Sequence, residues 1–377
     1  MIFSKKEEKK REVNKLSLLI DIQSGLVRVA VLRPSADFPA EIVHSVSRPV
    51  EGEIEKSGDL IIKTKTMLTE LERALKDCID HVKIPHDSID TVHYVFSTPW
   101  IVTQSRIIKK QFDTDTEVTE KMIQDILDSE RVSLLETFKK EKLDDTYDFD
   151  LVIIEQKIFD MRLNGYSVES SHGKKARTFE ISFAVSMCSE KIIKKIHSVV
   201  ASSLHVKKEV HHSGLLLQYI ALRSLVSHGE YASIHVHGEI TDCIVVRRGL
   251  SSSVTSFPYG IDTLTRKLSK ILKNTKEASN SLITLYEGNK LETKVQEKVG
   301  KAVSTLITDW YSGLVKSPAI TGANGMPHCI YLSVCSYSIH HLPIFKKFLE
   351  ESGYEVRIFE KHISEVYVSA LYDTCKL

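Results

Sequence analysis

Two histidines, His235 and His237, stand two apart in the apolar run YASIHVHGEI. Side chains two apart on a strand share a face, so both imidazoles would offer lone pairs to one metal ion or one altered ligand. Asp21, Glu239, Cys335, His340 and His341 are the residues that could join them if the fold closes a cleft between its two halves. Their intervals lack the regularity of zinc-binding motifs, and the expectation is that side chains fill a disused pocket. Ser24-Gly25 is not a nucleophile elbow, because no His or Asp can be assigned to it. His211-His212 is expected to be a loop pair.

The elements that must position these residues follow from apolar periodicity. LSLLIDI, LVRVAVL and EIVHSVSRPV read as three strands with a tight turn at Gln23, Ser24 and Gly25. Residues 62–83 then change period, and Leu68, Leu71, Leu75, Cys78, Ile79 and Val82 fall on one helical stripe. After the strand TVHYVFS come a polar stretch IIKKQFDTDTEVT, an amphipathic helix near 117–130, and two strands. The turn before the second of them carries Asn164-Gly165, a strong reversal signal. Helical spacing returns at Ile192, Ile193, Ile196, Val199 and Val200, and the nearly apolar SGLLLQYIALRSLV predicts a buried helix. A second strand set, ASIHVHG, TDCIVVRRG and SSVTSFPYG, then repeats the opening layout.

That recurrence predicts a duplicated α/β architecture with a cleft between lobes. The expected division is a charged tail at 1–15, a first-lobe core at 16–88, an inserted α+β subdomain at 89–190 and first-lobe helices at 191–228. A second lobe at 229–363, mainly helical over 262–316, and a closing helix at 364–377 complete it. The 377 residues, 42% hydrophobic and 27% charged, suffice for two cores. Lys and Arg total 51 against 50 Asp and Glu, so no net field selects nucleic acid or an anionic membrane. Six cysteines without a CxxC pair and a start without an apolar leader predict reduced thiols in a cytoplasmic protein.

The order of these segments resembles the actin-like ATPase superfamily, specifically the bacterial FtsA and PilM proteins. LSLLIDIQSGLVRVAVL is similar to the family's first phosphate loop, and YASIHVHGEITDCIVVRRG with Phe257-Pro258-Tyr259-Gly260 to the second. CIYLSVCSYSIHHLPIFKKFLEESGYEV resembles the adenosine segment, and the stretch IIEQKIF to SFAVSMC the inserted subdomain of FtsA and PilM. The resemblance implies a two-lobed, duplicated ribonuclease-H-like fold with a small inserted α+β subdomain.

The same resemblance marks where this chain departs. Asp21 is kept, but Gln23 stands at a glycine position, with Ser24 and Gly25 permissive. In the second loop His235 replaces the metal-side Asp, His237, Gly238 and Glu239 replace the triple glycine, and Thr241 and Asp242 remain. Val334, Cys335 and Ser336 take the paired-glycine positions of the third loop. Phosphate cradles need backbone without Cβ close to the ligand, and Glu239 is expected to repel phosphate. Together these positions describe a degenerate nucleotide cleft, which implies a pseudo-ATPase without cofactor; ATP with magnesium stays open as the alternative.

The function implied by the resemblance is that of a scaffold or adaptor of the FtsA kind in membrane-associated cell-division assembly, with a PilM-like role in type IV pilus assembly as the alternative and a divergent ATPase as the second. FtsA-like proteins join a cytoskeletal polymer to the membrane, and PilM-like proteins bind the cytoplasmic tail of a pilus inner-membrane protein. Protein partners and self-association are implied, nucleic acid is not. Membrane contact, at the inner face of the plasma membrane, would be indirect or through the N-terminal tail. The last helix, SEVYVSALYDTCKL, aligns with the one that closes the fold, and the lack of an amphipathic helix after it favours a PilM-like mode or a divergent FtsA whose membrane contact comes from a partner or the N-terminal tail. The inserted segment ending NGYSVESSHGKKARTFEISFAVS is more like FtsA.

Overall fold

The computed structural model describes residues 16–35, 40–52, 59–85, 88–140, 150–171, 173–226, 229–247, 250–317, 320 and 325–359. The expected tail at 1–15 and closing helix at 364–377 lie outside them. Among the described residues no helix is long and apolar enough to cross a membrane.

The first sheet holds β1 (Leu16–Ile22), β2 (Leu26–Arg33), β3 (Glu41–Pro49), β4 (Ile89–Phe96) and β9 (Lys208–Ser213), in the order β3-β2-β1-β4-β9. The second holds β10 (Tyr231–Val236), β11 (Thr241–Arg247), β12 (Leu250–Phe257), β13 (Cys329–Val334) and β14 (Glu355–Ile358), in the order β12-β11-β10-β13-β14. In each, three antiparallel strands run into a parallel set through the central strand. The duplication predicted from the repeated layout is therefore present in strand order and direction.

Helix α1 (Asp59–Val82) lays Leu71, Leu75 and Cys78 on the first sheet, with Leu68, Ile79 and Val82 partly buried beside them. A third sheet of β5 (Ile101–Glu117), β6 (Leu151–Leu163), β7 (Tyr166–Ser167) and β8 (Lys175–Ser189) is inserted between β4 and β9. It packs Phe179, Ile181 and Phe183 against Ile123, Ile126 and Leu127 of α2 (Glu120–Lys140). Asn164 and Gly165 both take positive φ, 52° and 83°, and form the two-residue turn between β6 and β7.

Helix α3 (Glu190–Ala201) returns the chain to the first lobe. Helix α4 (Gly214–Leu225) then runs between the two sheets: Leu217 and Ala221 touch the core around Leu19 and Val95, while Leu215, Leu216 and Leu222 join Tyr231 and Ile244. A helix covered on both sides must be apolar nearly all round, as its sequence is. In the second lobe α5 (Ile261–Leu272), α6 (Lys276–Glu287), α7 (Thr293–Val315) and α8 (Leu342–Glu351) surround a core centred on Trp310 and Phe345.

Three boundaries differ from the sequence reading. β4 is hydrogen-bonded to β1 and β9, so the inserted unit begins after residue 96 rather than at 89. The polar stretch IIKKQFDTDTEVT belongs almost wholly to β5, which is the edge of its sheet among the described residues and can be polar on its far side. The stretch 191–228 contains β9 as well as helices, and His211 and His212 sit on that strand rather than in a loop. KEVHHS is too short and too polar to show alternation.

Candidate functional site

The two sheets bring the C-terminal ends of their central strands together. β1 ends at Ile22 and hands over to Gln23 and Ser24, while β10 ends at Val236 and hands over to His237, Gly238 and Glu239. β13, parallel to β10 with Val334 opposite Val236, delivers Cys335 to the same place. Strand ends of this kind are where open α/β sheets hold ligands.

In this protein the loops meet each other. The backbone N–H of Glu239 donates to Ser24 Oγ at 3.1 Å, across the lobes. The Glu239 carboxylate, 3% exposed, accepts two hydrogen bonds from the Arg266 guanidinium at 2.7 and 3.0 Å and one from Thr263 Oγ1 at 2.8 Å. It therefore turns onto α5. Lys63, fully buried on α1, donates to the carbonyls of Val50 and Gly52 at 3.2 and 2.7 Å. Burial lowers its pKa, and the Glu239 and Asp262 charges hold part of that shift back.

The start of α5 is also engaged. The N–H groups of Ile261 and Asp262 donate to the carbonyls of His237 and Gly238 at 2.9 and 2.6 Å. Gly260 makes that approach feasible, since a Cβ there would lie 2.4 Å from both carbonyl oxygens. Thr241 points into the core, donating to Tyr259 O at 2.6 Å and accepting from Trp310 Nε1 at 2.9 Å.

Asp21 is fully buried at the end of β1, opposite Arg28 on β2, and accepts from Gln23 Nε2 at 2.8 Å. Burial raises its pKa to about 6 against the opposing pull of Arg28, Gln23 and His237. Gln23 Oε1 lies 3.4 Å from His237 Nδ1 and from Cys335 Sγ. His237 Nε2 is 3.0 Å from Asp242 Oδ2, and Asp242 Oδ1 accepts from Ser256 Oγ at 2.6 Å. His235 Nδ1 is 2.7 Å from Ser333 Oγ, and burial drives the His235 pKa well below its usual value, with His237 adding to the effect.

Of the residues singled out in the sequence, His235, His237, Cys335, Gln23, Asp21 and Asp242 thus converge, and Ser24 and Glu239 join the lobes. Gly25 contributes its carbonyl, which accepts from Val50 N at 2.9 Å, and Ser336 opens the short helix that follows Cys335. His341 is drawn off to Thr265 Oγ1 at 3.3 Å with its ring against His340. Sequence reasoning missed Arg266, Lys63, Thr263 and Ser333. A buried lysine in the first turns of an amphipathic helix, Lys63, was a usable signal; the others have no distinctive spacing.

No protein-family model matches the chain, and no curated protein matches its sequence. Among solved structures, a "PilM-PilN type IV pilus biogenesis complex" superposes at TM-score 0.61 and 12% identity, covering 96% of this chain and 97% of that one. The ethanolamine utilization protein EutJ from Carboxydothermus hydrogenoformans follows at TM-score 0.45 and 10% identity, covering 95% of this chain and 90% of that one. MreB 5 of Spiroplasma citri also has TM-score 0.45, with 9% identity over 96% and 97% of the two chains. Likeness at such identities speaks for the fold. With the same sheet order and strand directions in both lobes, joined through α4, the chain has the two-lobed actin-like ATPase fold.

Proposed function

We propose that this chain is an actin-fold scaffold that binds protein partners in a membrane-associated assembly and does not turn over nucleotide. The observation that carries the reading is the contact between the two loops that would have to flank phosphate: Ser24 to the Glu239 backbone, with the Glu239 carboxylate held by Arg266. A carboxylate fixed in this way uses the cations that a phosphate would need. Calorimetric titration with ATP and magnesium is the test, with no sub-millimolar binding expected. Sub-millimolar binding would refute the non-catalytic reading and leave the divergent ATPase.

Between the two assemblies, the pilus-type role has the better support, because the superposition on the PilM-PilN complex extends over 96% of the chain. The partner on this reading is the cytoplasmic tail of a pilus inner-membrane protein. A binding assay with that tail peptide and with the tail of a division polymer separates the roles. Capture of the pilus tail is expected; capture of the division tail would restore the FtsA-like reading, and binding of neither would remove both.

A further inference from the structure

We propose that His235, His237 and Cys335 form a binding site for a transition-metal ion of borderline softness, zinc first, with Gln23 Oε1 from the opposite lobe at the fourth position. One ligand atom from each of the three residues lies within 4.8 Å of the others, and all three side chains are buried. Tetrahedral zinc with Zn–N near 2.0–2.1 Å and Zn–S near 2.3 Å needs ligand atoms about 3.3–3.8 Å apart. Small side-chain rotations close that difference.

Hydrogen bonds around the cluster engage one nitrogen of each imidazole. A carboxylate only accepts, so Asp242 fixes a proton of His237 on Nε2 and leaves Nδ1 as the nitrogen that can ligate in the neutral ring. Nδ1 faces Gln23 Oε1 at 3.4 Å, and the same amide oxygen accepts from the Cys335 thiol at 3.4 Å. The amide cannot turn away without cost, because its Nε2 donates to Asp21 Oδ2 at 2.8 Å. On His235, Nδ1 is engaged by Ser333 Oγ at 2.7 Å. The other nitrogen, Nε2, is buried without a hydrogen-bond partner among the described residues.

His237 Nδ1 and the Cys335 thiol thus both meet Gln23 Oε1, and His235 lies with them in one buried cluster. A cation would engage the His235 nitrogen that hydrogen bonding leaves unmatched and take the place of the thiol proton at Cys335. The bonds from His237 to Asp242 and from His235 to Ser333 are the outer contacts that orient metal-binding imidazoles. Two nitrogens and one sulfur select zinc or copper over the oxygen-seeking magnesium, calcium and manganese. On binding, the Cys335 thiol loses its proton to solvent and sulfur bonds to the metal, with no change of oxidation state for zinc. Because Gln23 belongs to the first lobe and the other three to the second, the ion would pin the lobes together. This goes beyond the scaffold reading and does not depend on which partner or nucleotide binds.

The test uses the full chain purified without chelator. Elemental analysis is expected to find about one zinc per chain. Exchange for Co2+ is expected to give a sulfur-to-cobalt charge-transfer band with the visible absorption of a tetrahedral ion. Cys335→Ser should lose the band while circular dichroism stays that of the folded chain. Lack of a charge-transfer band in the wild type overturns the site without recourse to any variant, and a band that persists in Cys335→Ser overturns it by assigning the metal to another thiol.

Discussion

Glu239→Ala tests whether the two loops are closed by a buried ion pair. The substitution removes two hydrogen bonds from Arg266 and one from Thr263, and leaves a guanidinium side chain that is 12% exposed without its carboxylate. Removing one member of a buried pair costs about 3–5 kcal/mol. The lower end applies here, because Asp262, paired with Lys276 at 3.1 Å, still screens the local cations. Urea denaturation followed by circular dichroism should show the midpoint falling at unchanged slope. Arg266→Met together with Glu239→Ala should cost less than the two singles summed, by about 2–3 kcal/mol. A loss below about 1 kcal/mol for Glu239→Ala, or strictly additive singles, would refute the closed-loop account.

Gly260→Ala should destabilise by about 3 kcal/mol or more, since its Cβ would meet two carbonyl oxygens at 2.4 Å and those carbonyls are tied to α5; a thermal midpoint within error of wild type would contradict that packing. Gly165→Ala should cost only about 1 kcal/mol, because its φ of 83° is unfavourable for alanine while nothing lies near the added carbon. A pH effect is expected from His93 and His212, which are 3.1 Å apart and held by burial at about 4 and about 3. Lys208 also lowers His93, His211 also lowers His212, and His197, Glu209 and Tyr94 adjoin the group. Depressed histidine values mean that the unfolded chain binds more protons, so this stability is complete above pH 6.5 and is lost as pH falls toward about 4. Glu155, raised by burial to about 7, acts in the opposite sense. The readout is therefore the difference between wild type and His93→Gln: the variant should flatten the acid-side loss, and an unchanged pH dependence would be the contrary result.

The frame was legible because it rests on periodicity. Alternation and apolar runs found the central strands, and the all-round apolar sequence of α4 follows from its contact with both sheets. β9 was not legible, because Lys208 to Ser213 enters the sheet through backbone pairing with β4 while its side chains are polar. The site divides in the same way. His235 and His237 announce themselves by spacing on one strand, and Cys335 by its place after a buried one. The direction of Glu239 does not, since it is set by Arg266, 27 positions later on a different element. Charge pairing over such a separation leaves no local pattern to read.

Arg266, Lys63 and Lys276 place positive charge beside Glu239 and Asp262. A buried guanidinium such as that of Arg266 needs an anionic partner. Glu239 meets that demand from the loop itself, and the carbonyls of His237 and Gly238 occupy the helix N–H groups. A nucleotide would have to displace both. If opening the Glu239–Arg266 pair costs about 3–5 kcal/mol, affinity falls by about two to three powers of ten or more. A site of micromolar strength would become roughly millimolar. The threshold set for the titration is thus the one that separates a filled cleft from a working one, and Glu239→Ala should move the chain toward phosphate binding, seen as stabilisation of the variant, and not of the wild type, by millimolar phosphate.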